Sequence, residues 1–159
     1  MVRFFSRGKG QAAAPPPVPE GQRDAAAALQ LAIDSGHADA APKAALNLGV
    51  LRTGHGDTAG ATAAYQLAID SGHAAAAPKA AVNLGVLRTG HGDTAGATAA
   101  YQLAIDSGHA DQAPKAALNL GVLRAGHGDT AGATAAFQLA IDSGYADIAP
   151  LAREQLGHL

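Results

Sequence analysis

Apolar residues along this chain recur at helical spacing and nowhere at the two-residue alternation of a strand. Ala61, Ala64, Tyr65 and Ala68 fall on one face of a 3.6-residue period, and Ala41, Ala44, Leu48 and Leu51 form a matching stripe just upstream. The breaks between the stripes carry helix punctuation. Pro42 suits a first helical turn, where its missing N–H would have no partner anyway. The helix that it opens is expected to stop at Gly54, with that glycine as a left-handed terminator. Asp57 then offers a carboxylate to cap a second helix, which is expected to run to Gly72.

This helical hairpin is the unit of an array. The segment from Thr53 to His73 recurs unchanged from Thr89 to His109, an offset of 36 residues. The same offset aligns Pro42, Pro78, Pro114 and Pro150, and also Leu29, Tyr65, Tyr101 and Phe137. A weaker spacing of 18 relates His37, His55, His73, His91, His109 and His127, one glycine–histidine turn for each helix. The expected fold is therefore all-α, an α-α superhelix of tandem 36-residue hairpins. The repeats span about 42–77, 78–113 and 114–149, between half-repeats 24–41 and 150–159, within a domain of residues 23–159. One hairpin buries too little to stand alone, so stability has to come from stacking.

Composition sharpens this picture. Alanine fills 42 positions and glycine 20, so helices can approach closely, with Gly49, Gly85 and Gly121 as contact points. In the last half-repeat Arg153 takes the column of Ala45 and Glu154 that of Leu46, as a solvent-facing cap requires. Residues 1–22 differ: a basic, proline-rich segment expected to be a disordered tail, with Phe4 and Phe5 between Arg3 and Arg7 as a candidate anchor. The net charge of -2 argues against a nucleic-acid binder that works by neutralising phosphates. Cysteine is absent, which removes disulfides and thiolate chemistry. No apolar run approaches a membrane span, and the expected setting is the cytoplasm.

The pattern Leu48-Gly49, Gly56-Asp57, Ala61, Tyr65 and Ala68 resembles the tetratricopeptide repeat, and it returns at Leu84-Gly85, Gly92-Asp93, Ala97, Tyr101 and Ala104. The stretch Gly72-His73-Ala74 with Asn83-Leu84-Gly85-Val86-Leu87 is also similar to the Sel1-like repeat. The chain departs from the tetratricopeptide pattern in its longer period, since that repeat has about 34 residues, and in Ala45, Arg52 and the displaced Pro78. The resemblance implies a right-handed superhelix whose first helices line a concave groove.

Candidate catalytic patterns fail on geometry. Asp70-Ser71-Gly72-His73 has the residue types of a hydrolase triad, but they are consecutive at a helix end and recur in successive units. Gly54-His55-Gly56-Asp57 lacks the strand and lysine of a phosphate loop, and Asp57 would repel the phosphate. Histidines one repeat apart are too distant to share a metal at about 2 Å, and read more simply as turn residues that bond helix-terminal carbonyls. No catalytic residue, metal ligand or cofactor is assigned, and the chain is expected not to be an enzyme.

What remains is a ladder. Lys43, Leu46, Asn47 and Val50 recur as Lys79, Val82, Asn83 and Val86, and as Lys115, Leu118, Asn119 and Val122. On the groove that the resemblance implies, asparagines can hydrogen-bond an extended peptide while lysines favour acidic groups. The expected function is a scaffold that binds a protein or peptide partner, with acidic partners favoured. The competing expectation is a structural protein that self-associates end to end into oligomers or filaments.

Overall fold

The computed structural model describes residues 19–159, so Phe4, Phe5 and most of the expected tail lie outside the described residues. Eight helices follow one another: α1 (Glu20–Asp34), α2 (Ala40–Gly54), α3 (Thr58–Asp70), α4 (Ala76–Gly90), α5 (Thr94–Asp106), α6 (Gln112–Gly126), α7 (Thr130–Asp142) and α8 (Ala149–Leu156). No strand occurs among the described residues. Each helix packs on the next, building an all-α solenoid of 36-residue hairpins α2–α3, α4–α5 and α6–α7.

Helix ends differ from the expected ones for local reasons. α2 begins two residues before Pro42, because a proline within the first turn forfeits only an N–H that has no intrahelical acceptor. α1 begins at Glu20, inside the segment assigned to the tail. α2 does end at Gly54, but the left-handed residue is Gly56, with φ 73°, one position beyond the cap His55. Asp57 caps α3 as expected: its Oδ1 accepts the Gly60 N–H at 2.9 Å, and Asp93 and Asp129 repeat the bond. Arg52 completes this turn. Its Nη1 donates to the Gly60 carbonyl at 3.1 Å and its Nε lies 3.7 Å from Asp57.

Within each hairpin the contact is a glycine under a ring. A Cβ on Gly49 would lie 2.5 Å from Tyr65 Cε1, one on Gly85 2.6 Å from Tyr101 Cδ1, and one on Gly121 2.5 Å from Phe137 Cδ1. Only glycine lets the ring lie flat on the helix backbone. Ala61, Ala64 and Ala68 are buried beside Tyr65, and Leu48, Leu84 and Leu120 are buried opposite. Burying each ring contributes on the order of 1.5–3 kcal/mol.

The two kinds of helix take different places. First helices touch each other, α2 with α4, α4 with α6 and α6 with α8, whereas α3, α5 and α7 touch only the first helices on either side. The layer of second helices is thus spread and that of first helices compressed, so the first helices form the inner face. At the start of the array, Ala25, Ala28, Leu29 and Ala32 are at least partly exposed, although their columns are buried in α3, α5 and α7. At the other end Arg153 and Glu154 are exposed on α8.

The ring contact generates a direct prediction. Gly85→Ala forces the Tyr101 ring off α4 and should lower stability by roughly 1–3 kcal/mol, despite the better helix propensity of alanine. Chemical denaturation checks it, with Gly90→Ala, at a position with open space around it, as the control.

Candidate functional site

On the inner face the expected ladder separates into residues with different fates. Val50, Val86 and Val122 stand half out of the protein, at 51%, 53% and 49% exposure, much as Leu67, Leu103 and Leu139 do on the second helices. Asn47 is exposed and Asn83 and Asn119 partly so, and none of the three amides hydrogen-bonds another described residue. Their capacity to donate and accept is therefore free, in contrast to an asparagine that braces a neighbouring helix.

Leu46 and Val82 are corrections. Each is only 8% exposed and belongs to the hydrophobic core, and Leu118 packs against the core in the third repeat. One residue along a helix turns about 100°, so position 46 leaves the 43–47–50 stripe and points between helices.

The lysines form no continuous row of free amines either. Lys43 Nζ is held by Asp39 at 2.8 Å and Lys115 by Asp111 at 3.3 Å, each one turn earlier on the same stretch of chain. Lys79 has Ala75 at that position and pairs with no described residue.

Between α4 and α6 the inner face opens a cleft of about 530 Å³. Val86, Asn119 and Val122 line it, together with Thr89, Tyr101 and His127, which the sequence reading did not assign to the site. Thr89 Oγ1 lies 3.3 Å from the Tyr101 hydroxyl and donates to the Gly85 carbonyl at 2.9 Å. Burial raises the Tyr101 phenol above the usual tyrosine value, so it keeps its proton at neutral pH. The pair is legible in the repeat columns: Thr53 faces Tyr65 at 3.1 Å, while in the third unit both become apolar together, as Ala125 and Phe137.

The histidine rows brace the array. His91 Nδ1 lies 2.8 Å from the Leu87 carbonyl, which makes that nitrogen the donor, and its Nε2 lies 2.9 Å from Thr58 Oγ1 of the preceding unit. His127 repeats this with Leu123 and Thr94, and His55 Nδ1 meets the Leu51 carbonyl in the same way, with its Nε2 against the Gln22 side-chain amide. The bond to a helix-terminal carbonyl is the one expected of these turn histidines. At the opposite edge His73 Nδ1 accepts the N–H groups of Ala75 and Ala76, so its Nε2 carries the proton and donates to Asp39 at 3.0 Å. In the third unit Tyr145 takes the histidine column, and Lys115 Nζ lies 5.6 Å from the centroid of its ring. Among the described residues no cluster of histidines and carboxylates is placed to hold a metal ion, and no helix is long and apolar enough to cross a membrane.

No family model matches the chain, and no curated protein matches it. Among solved structures, the crystal structure of BtubC (BKLC) from P. vanneervenii is similar, with a TM-score of 0.60 and 21% sequence identity. The match covers 87% of this chain and 57% of that one, so this chain spans little more than half its length. The likeness is one of fold.

The Asp111–Tyr145 pair makes a prediction with a sign. The neighbouring Tyr145 phenol first, and then Lys115, holds the Asp111 carboxyl below the usual range, while Asp111 raises the Tyr145 phenol above its own. Stability from the lowered carboxyl is present above its unfolded value of about 3.9 and is lost as pH falls through the folded one; that from the raised phenol is present below about 10 and is lost as pH rises through its folded value. Asp111→Asn should flatten both limbs of the melting-temperature profile and move the tyrosinate absorbance transition of Tyr145 down toward pH ~10. A transition that stays in place contradicts the pairing.

Proposed function

We propose that the chain is a non-enzymatic, tetratricopeptide-like interaction module that binds an extended peptide of a protein partner along its inner face. The observation that supports this reading is the free amide and exposed valine repeated on α2, α4 and α6, helices that touch one another and so set the groups in a row. An extended peptide presents N–H and C=O groups alternately along each edge, and a primary amide matches one of each. Half-exposed valines next to those amides supply apolar contact for side chains on the same edge. Thr89 and Tyr101 also line the cleft between α4 and α6.

The reading assigns affinity to Asn83 and Asn119 and to Val86 and Val122. It takes acidic preference away from a three-lysine ladder, since Lys43 and Lys115 are already neutralised within their own helices. A peptide selected from a random display library against the full chain should lose roughly 10- to 30-fold in affinity when Asn83 and Asn119 are both replaced by alanine, about 1 kcal/mol for each lost hydrogen bond. Both residues are surface positions on helices, so circular dichroism should show the fold retained. Affinity that is unchanged by the double substitution contradicts the assignment of the inner face.

A further inference from the structure

Three columns of the repeat meet at the edge where each second helix hands over to the next first helix. In the first copy Asp39, Lys43 and His73 meet there: the Asp39 carboxylate accepts from Lys43 Nζ at 2.8 Å through both oxygens and from His73 Nε2 at 3.0 Å through Oδ1. In the third copy Asp111, Lys115 and Tyr145 hold the same columns, with the carboxylate 3.3 Å from Lys115 and Lys115 Nζ 5.6 Å from the centroid of the Tyr145 ring. The middle copy has both donors and no acceptor. Lys79 and His109 are present, but the carboxylate column holds Ala75, which is exposed.

The two donors are prepared in the middle copy as they are in the first. His109 Nδ1 accepts the Asp111 N–H at 3.2 Å and the Gln112 N–H at 3.4 Å, which leaves the ring proton on Nε2, the nitrogen that donates to Asp39 in the first copy. Neither His109 Nε2 nor Lys79 Nζ bonds any described residue. Asp111, two residues beyond His109, is engaged by Lys115 at 3.3 Å and by the Gln112 amide at 3.4 Å. His109 also forms part of the wall of a cleft of about 490 Å³, floored by Ile69, Pro78, Ala81 and Leu103.

We propose that the place vacated at Ala75 is a carboxylate-binding site, in which Lys79 and His109 receive the acidic side chain of a protein partner while an aliphatic neighbour of that side chain enters the adjoining cleft. The chain itself supplies the template: Asp39 shows how a carboxylate bridges this amine and this imidazole, and Asp111 shows the position filled again one unit beyond. A charge-assisted bond to each oxygen fixes the orientation of the incoming group as well as its charge. The site lies at the inter-repeat edge, apart from the inner cleft, and does not depend on the asparagine row.

The test uses the full chain, isotope-labelled, titrated at constant ionic strength with acetyl-Leu-Glu-Leu-amide and separately with acetyl-Leu-Gln-Leu-amide. The backbone amides of residues 75–79 and the His109 ring are followed by NMR. The glutamate peptide should give saturable shifts at these groups, and its affinity should exceed that of the glutamine peptide by about tenfold or more. Lys79→Met should lose that preference. Ala75→Asp installs the residue that the chain itself carries at positions 39 and 111, so it folds, and its own carboxylate should abolish the shifts. Equal binding of the two peptides, or undiminished binding to the Ala75→Asp protein, overturns the proposal. The Asn83→Ala/Asn119→Ala protein separates this site from the inner face: retained shifts at Lys79 and His109 there show that the edge site acts independently, and their loss overturns its separate assignment.

Discussion

The rest of this structure depends on the contact of a helix glycine with the face of a ring. Gly49, Gly85 and Gly121 carry Tyr65, Tyr101 and Phe137 at a distance that no side chain would allow. The alanines around each ring follow from it. Once two backbones are drawn this close, Ala61 and Ala68 fill the remaining space with no exposed surface, and a larger residue would push the ring away. With few aromatic residues, the chain places one ring in each hairpin, Tyr65, Tyr101 and Phe137, where it binds the two helices together.

The same closeness decides what the surface offers. First helices touch their counterparts in the next unit and second helices do not, which places Asn47, Asn83 and Asn119 on one inner row. Several polar columns elsewhere brace the fold. Asp57, Arg52 and Gly60 lock the turn inside a hairpin, and the histidines join one unit to the next through Thr58, Thr94 and Asp39. The asparagine amides, Lys79 Nζ and His109 Nε2 bond no described residue, although the same columns recur along the array.

Much of the fold was legible in the sequence, because a period of 36 and its glycine, proline and aspartate punctuation report local backbone needs. The helix termini shifted by a few residues where those needs admit alternatives: Pro42 is tolerated anywhere in the first turn, and Gly56 rather than Gly54 takes the left-handed conformation. The site was legible only in part. Val86, Asn119 and Val122 line the inner cleft, but Leu46 and Val82 turned into the core, since neighbours on a helix face different ways. The Lys43–Asp39 pair follows from a spacing of four residues. The Asp39–His73 and Thr94–His127 bonds span 34 and 33 residues and needed three-dimensional stacking to appear. Even so, the columns hold a trace of such pairings, as Thr with Tyr gives way to Ala125 with Phe137.

Peptide binding along the inner row is read out by NMR of the full chain, side-chain amides and methyl groups labelled, with a library-selected peptide bound. The amides of Asn83 and Asn119 and the methyls of Val86 and Val122 should shift together, while Leu67, Leu103 and Leu139 on the second helices stay in place. Shifts confined to those leucines, with the asparagine amides unmoved, would contradict binding along that row.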